Sequence, residues 1–337
     1  MILTQEALCH ILVRGSLAGV SDIFITEGRP IYWRHNGILS AQGEAVLDKD
    51  TIEAFYASIT SREQQMSFIK DQEADFTWTY QRWRYRIHIY RRMGDIAMAI
   101  RLFPQTIPHL DELGQASLIR QFMDYEDGLL LVTGATGAGK TTTMASMLAE
   151  YNRHKEYHIL TLEDPVEYLY PAGRCLFSQQ ERGRDFRDYR RGIISAMREN
   201  PDIIMLAELR DGGTCEAALS AAASGHYVIA TMHTGGAVET VERFISMFDS
   251  SRQTLARSML AASLRGICYQ KLVRGRDNTR QAAVEVLHSN KAVSNIIRTG
   301  QYEQLVSVMQ AGHRYGMQTM EMALTDLREQ QLLPQGS

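Results

Sequence analysis

The chain has 337 residues, 45% of them hydrophobic and 22% charged, with a net charge of −3. That composition suits a globular protein with ample core and two domains, and its slight acidity gives no electrostatic case for nucleic-acid binding. Four scattered cysteines, Cys9, Cys175, Cys215 and Cys268, argue against a zinc module and a disulfide framework, and no apolar run approaches the roughly 20 residues that span a bilayer.

In chain order, Leu3, Ala7, Leu8, Ile11, Leu12 and Ala18 fall on one side of a helix over residues 3–19. The N-terminus carries neither the basic region nor the long apolar core of a signal peptide, so a cytoplasmic location is expected. Ser21 to Ile25 reads as a strand, Glu27 to Pro30 as a turn, and Ile31 to Arg34 as a strand running into the Asn36-Gly37 hairpin signal. Asp50 to Ile69 returns to helix. Strands at Asp75 to Tyr80, Tyr85 to Arg91 and Ile96 to Phe103 follow, with Tyr85, Ile87 and Ile89 turned inward. These elements make an antiparallel α+β domain over residues 1–104, rich in arginine at 82, 84, 86, 91, 92 and 101.

Residues 105–114 carry Pro108 and Gly114 with little periodicity and read as a linker. Beyond it strands at 129–133, 158–162, 202–207 and 227–231 alternate with helices at 141–152, 186–199 and 212–224, the pattern of a parallel sheet wrapped by helices. This domain is placed at 115–289. From about 250 the chain reads as mostly helical, with one strand at 281–287, and 290–337 reads as a helical C-terminal region.

The chemistry begins at residues 134–141, Gly-Ala-Thr-Gly-Ala-Gly-Lys-Thr, which match G-x-x-x-x-G-K-[ST] between an apolar strand and a helix. Gly134, Gly137 and Gly139 let the backbone curl so that N–H groups, from Ala135, Thr136 and Ala138 through Thr142, converge on a polyphosphate. The helix N-terminus adds partial positive charge. Lys140 reaches the β/γ-phosphates, and the Thr141 hydroxyl is placed for Mg²⁺. The expected ligand is a nucleoside triphosphate. Glu163 and Glu208 each close an apolar strand, where ligands of such sheets bind, and either carboxylate suits Mg²⁺ or an attacking water. His233 leaves its strand on the same edge as a candidate phosphate sensor, whereas His226 reads as structural. The arginines of the first domain are a source of guanidinium charge for phosphoryl transfer, beside the plainer reading of a solvated sheet face.

The loop, the segments Leu-Thr-Leu-Glu-Asp-Pro-Val-Glu-Tyr (160–168), Asn-Pro-Asp-Ile-Ile-Met-Leu-Ala-Glu-Leu-Arg-Asp (200–211) and Gly-His-Tyr-Val-Ile-Ala-Thr-Met-His-Thr (225–234), in that order, resemble the Walker A, Asp-box, Walker B and His-box motifs of the secretion and type IV pilus ATPases. Ser-Asp-Ile-Phe-Ile-Thr-Glu-Gly-Arg-Pro near the start, Arg-Tyr-Arg-Ile-His at 84–88 and Met-Gln-Thr-Met-Glu-Met-Ala-Leu at 317–324 extend the likeness along the chain. The short N-terminal region and the lack of a four-cysteine element match the PilT-like retraction branch best. Ser294 and Thr299 depart from its C-terminal signature, His88 stands where relatives often carry asparagine, and Ala207 replaces the glycine before the Walker B acid.

The resemblance implies an α/β, RecA-like P-loop ATPase core with a PAS-like α+β domain before it and a helical tail behind it. It implies ATP and Mg²⁺, with Lys140, Thr141, Glu163 and Glu208 around them, His233 as sensor, and Arg86 and Arg101 approaching the phosphates. It further implies a homohexamer working with an inner-membrane pilus platform protein, and a paired extension ATPase, that retracts the pilus without touching nucleic acid. Contact with the membrane would run through those partners alone. The alternative within the family is a secretion or conjugation ATPase.

Overall fold

The computed structural model describes residues 5–35, 37–276 and 279–334 and divides the chain into two units. The first unit, Met1–Thr106 with Glu167–Leu169, is built on one antiparallel sheet. After α1 (Gln5–Leu17) come β1 (Asp22–Thr26), β2 (Pro30–His35) and β3 (Ile38–Val46), then α2 (Lys49–Ile59), α3 (Arg62–Asp71), β4 (Glu73–Tyr80), β5 (Trp83–Arg92) and β6 (Asp95–Leu102). The sheet order is β3-β2-β1-β6-β5-β4. His35 pairs with Ile38 across the hairpin, whose Gly37 has φ +80°; the other turn residue of the signal, Asn36, lies outside the described residues. Tyr85, Ile87 and Ile89 are buried as the alternation requires, packing with Leu8, Leu12, Phe55 and Ile100.

The single helix expected over Asp50 to Ile69 is two helices. Thr60 takes extended backbone, and the Ser61 hydroxyl accepts from Gln64 N at 3.3 Å while Ser61 N donates to the Gln64 side chain at 2.8 Å. This capping box stabilises a new helix start by about 1 kcal/mol, enough to break the periodic run.

The second unit, Ile107–Val166 with Tyr170–Ser337, contains α4 (Ala116–Arg120), β7 (Gly128–Thr133), α5 (Lys140–His154), β8 (His158–Glu163), β9 (Leu176–Glu181), α6 (Tyr189–Ala196), β10 (Ile203–Leu206), α7 (Gly212–Ala223), β11 (Tyr227–Met232), α8 (Ala237–Ser246) and α9 (Gln253–Ser263). It continues with β12 (Leu264–Arg274), β13 (Arg280–His288), α10 (Lys291–Thr299), α11 (Leu305–Ala311) and α12 (Met320–Glu329). Its sheet order is β13-β12-β7-β11-β10-β8-β9, parallel throughout except for the antiparallel edge pair of β12 and β13.

β7 explains the layering. All six of its residues are buried. Leu129 and Leu131 enter the core on one face of the sheet, and Leu130 and Val132 enter the core on the other. Each such side chain contributes about 1.5–3 kcal/mol of burial, so the strand is fixed from both sides.

Three strands went unread in the sequence: β3, of which only the preceding hairpin signal was read, β9 and β12. β12 follows α9 with no intervening breaker, so its residues extend a helical reading; only the ladders to β7 and β13 make it a strand. A bulge near Leu264/Gly266 begins it, and a Cβ on Gly266 would collide with Phe122. Gly266→Ala should therefore destabilise the second unit by about 1–3 kcal/mol, read as a lower thermal midpoint; an unchanged midpoint would refute this packing.

Candidate active site

The loop at residues 134–139 leaves the end of β7, and α5 begins at Lys140. Gly134, Gly137 and Gly139 have φ of +146°, +79° and +88°, conformations that resist a side chain. Ala135, Thr136 and Gly137 are exposed at its crest, Ala138 is buried beneath, and Thr141 and Thr142 are half-buried on the first turn of α5.

Parallel pairing sets the other groups at the same edge of the sheet. Leu206 of β10 pairs with Leu162 of β8, so Glu163 and Glu208 emerge from neighbouring strand ends. Met232 of β11 pairs with Thr133 of β7, which brings His233 beside the loop. Lys140 Nζ donates to the carbonyls of Gly134 and Ala135 at 2.8 and 3.0 Å and lies 3.4 Å from His233 Nδ1. His233 Nε2 lies 3.4 Å from Glu208 Oε1, and Arg210 Nε donates to Glu208 Oε2 at 2.7 Å. An ammonium only donates, so Nδ1 is the accepting nitrogen and Nε2 carries the proton toward Glu208.

Burial lowers the Lys140 ammonium below its ordinary range, with Glu208 opposing. Burial also lowers His233, helped by the Lys140 charge and opposed by Glu208. The imidazole is thus kept neutral, able to donate without adding charge.

Glu163 is 4% exposed, an expensive place for a carboxylate unless it is hydrogen-bonded. Thr161 Oγ1 donates to it at 2.7 Å, and Gln179 Nε2 at 3.3 Å from β9. Asp164 beside it takes Arg182 Nη1 at 3.0 Å. His226 is held by Ser224 and the Ala221 carbonyl, each 3.1 Å from Nδ1, as a structural histidine is. Lys140, His233 and Glu208 are therefore joined in one row, with Glu163 held separately on the adjacent strand end.

Arg86 and Arg101 stand directly opposite each other on β5 and β6 of the first unit. Arg86 Nε lies 3.5 Å from Asp75, and Arg101 Nε donates to Asp22 at 3.1 Å. Both guanidinium groups are exposed, and such pairs contribute only about 0–1 kcal/mol, so either arginine can leave its carboxylate for a stronger anion.

Sequence reading missed Thr161, Gln179, Arg182 and Arg210 as supports of the acids. Arg210 stands two residues after Glu208 and Thr161 two before Glu163, spacings a strand end places on one side; Gln179 lies on an unread strand and carried no signal. Among the described residues no cluster of three or more histidine, cysteine or acidic side chains forms a ready metal cage, and no helix is long and apolar enough to cross a membrane. An oxygen site completed by phosphates needs only the hydroxyl and carboxylate donors found here.

Against known proteins, residues 93–332 match the type II/IV secretion system protein family. The uncharacterized protein YggR of Escherichia coli (strain K12) is 39% identical over 305 residues, 90% of this chain and 93% of its own. The type IV pilus retraction ATPase PilT of Pseudomonas aeruginosa is 34% identical over 321 residues, 95% of this chain and 93% of its own. Among solved structures, the pilus retraction motor PilT with bound ADP is similar over 99% of this chain and 95% of its own, with TM-score 0.91 and 33% identity.

The depressed pKa of His233 has a defined sign. Its neutral form stabilises the fold fully above the unfolded value of about 6.5, and that contribution is lost as pH falls below it. NMR titration should place the His233 midpoint below 6.5; a midpoint above it would contradict the geometry around Lys140.

Proposed function

We propose that this chain, which belongs to the type II/IV secretion system protein family, is an ATPase motor that drives type IV pilus retraction. The observation that carries the reading is the row of Lys140, His233 and Glu208 at the mouth of one phosphate-binding loop. Similarity to PilT along nearly the whole chain supports the retraction branch.

In this mechanism the loop N–H groups of residues 134–142 and the N-terminus of α5 bind the ATP phosphates, and Lys140 exchanges the Gly134 and Ala135 carbonyls for β/γ-phosphate oxygens. Glu208 orients and polarises the attacking water, while Arg210 holds its second oxygen. Glu163 supplies the second carboxylate, steadied by Thr161. The neutral imidazole of His233 senses the γ-phosphate. Thr141, Glu163 and Glu208 offer the hard oxygens that suit Mg²⁺, which when bound neutralises phosphate charge. Arg86 and Arg101 bring guanidinium charge to the transferring phosphoryl group. The working form is a homohexamer at the cytoplasmic face of the inner membrane, acting on a pilus platform protein, in company with an extension ATPase.

Lys140→Ala should lower turnover by about 10²-fold or more while the protein stays folded, and unchanged ATP affinity would contradict the assignment. Arg86→Ala or Arg101→Ala should still bind ATP but lose about 10³-fold in kcat; wild-type rates would return these arginines to a solvated sheet face. Turnover no higher than that of Glu208→Gln would remove the motor reading altogether. In cells, deletion should leave pili that assemble and do not retract. Unpiliated cells, or normal retraction with a secretion defect, would assign the chain to another branch of the family.

A further inference from the structure

Gln270 stands on β12 immediately after Tyr269, which pairs with Thr133, so it lies level with the point where the chain leaves β7 and enters the phosphate-binding loop. Its side chain is buried, at 4% exposure. Both ends of the amide are used. Nε2 donates to the Ala138 carbonyl at 2.7 Å, and Oε1 accepts from Thr143 Oγ1 at 2.7 Å. One partner is on the loop and the other on the first turn of α5.

The same residue explains two loop glycines. A Cβ on Gly134 would collide with the main-chain carbonyl oxygen of Gln270, and a Cβ on Gly139 would lie 2.8 Å from its Nε2. Their small size is therefore demanded from beneath by β12, whatever binds above.

A buried glutamine that merely satisfied itself could use any carbonyl. This one holds the Ala138 carbonyl, which shares a trans peptide plane with the Gly139 N–H. With the carbonyl pinned toward β12, the N–H points the opposite way. We propose that Gln270 is the positioning residue that presets this loop, turning the Gly139 N–H toward the phosphates and tying the loop to α5 through Thr143. The inference rests on the nucleotide-binding reading above and adds to it a residue outside every motif. Glutamate cannot donate to Ala138, asparagine is one carbon short, and methionine fills the volume without either bond.

The test titrates the 337-residue chain with a fluorescent ATP analogue and measures steady-state ATPase and thermal midpoint for the unaltered protein, Gln270→Met, Gln270→Glu, Thr143→Val and the Gln270→Met/Thr143→Val double variant. Gln270→Met should raise Kd and KM about tenfold while kcat at saturation changes by less than about threefold, the signature of lost binding geometry. Thr143→Val should raise them less, and the double variant should show less than the sum of the two effects, because both act through one amide. A Gln270→Met protein with a lower thermal midpoint but unchanged Kd and KM would overturn the proposal. If that variant does not fold, unchanged affinity in both Gln270→Glu and Thr143→Val overturns it equally. Absence of binding by the unaltered chain overturns the nucleotide reading and this inference with it; binding by the unaltered chain that Gln270→Met leaves unchanged overturns only the inference.

Discussion

Everything in the second unit depends on β7 being buried on both faces and paired in parallel on both edges. A strand so held has no freedom to slide, because a one-residue slip would exchange Leu129 and Leu131 with Leu130 and Val132 between two cores. Its C-terminal end is therefore a fixed point. Parallel neighbours end at the same level, so a lysine, two glutamates and a histidine from distant parts of the chain meet at one edge. The arrangement needs no separate device for each side chain.

The electrostatics of that edge follow from its burial. Lys140 is mostly enclosed, and its charge is carried by two carbonyls and faced by an imidazole. Burial, helped by the cation beside it, keeps His233 neutral, with Nε2 3.4 Å from Glu208 Oε1. Glu163, more deeply buried than Glu208, is supported by neutral donors, whereas Glu208 shares its charge with Arg210. Two carboxylates of the same chemistry are thus placed in different surroundings.

The first unit answers a different physical demand. Its antiparallel sheet has one face packed under α1, α2 and the aromatic cluster and another lined with arginines. The alternation of Tyr85, Ile87 and Ile89 with Arg84, Arg86 and His88 produces both faces at once, and cross-strand pairing then sets Arg86 against Arg101. The carboxylates of half-buried Asp22 and exposed Asp75 steady those guanidinium groups without locking them.

The sequence by itself determined the loop, the strand before it, the helix after it and the four polar residues that mark the sheet edge, since each is signalled by local spacing. Alternation likewise marked the arginine-bearing strands. It did not reveal where the helix between Asp50 and Ile69 breaks, because a capping box competes there with an unbroken periodic pattern. Nor did it reveal β9 or β12, whose strand character comes from ladders to partners far away in the chain. Tertiary structure alone decided that Gln179 supports Glu163 and that Gln270 lies beneath the loop. A buried glutamine carries no local pattern, and its importance is set only by what the folded sheet puts within 3 Å of its amide.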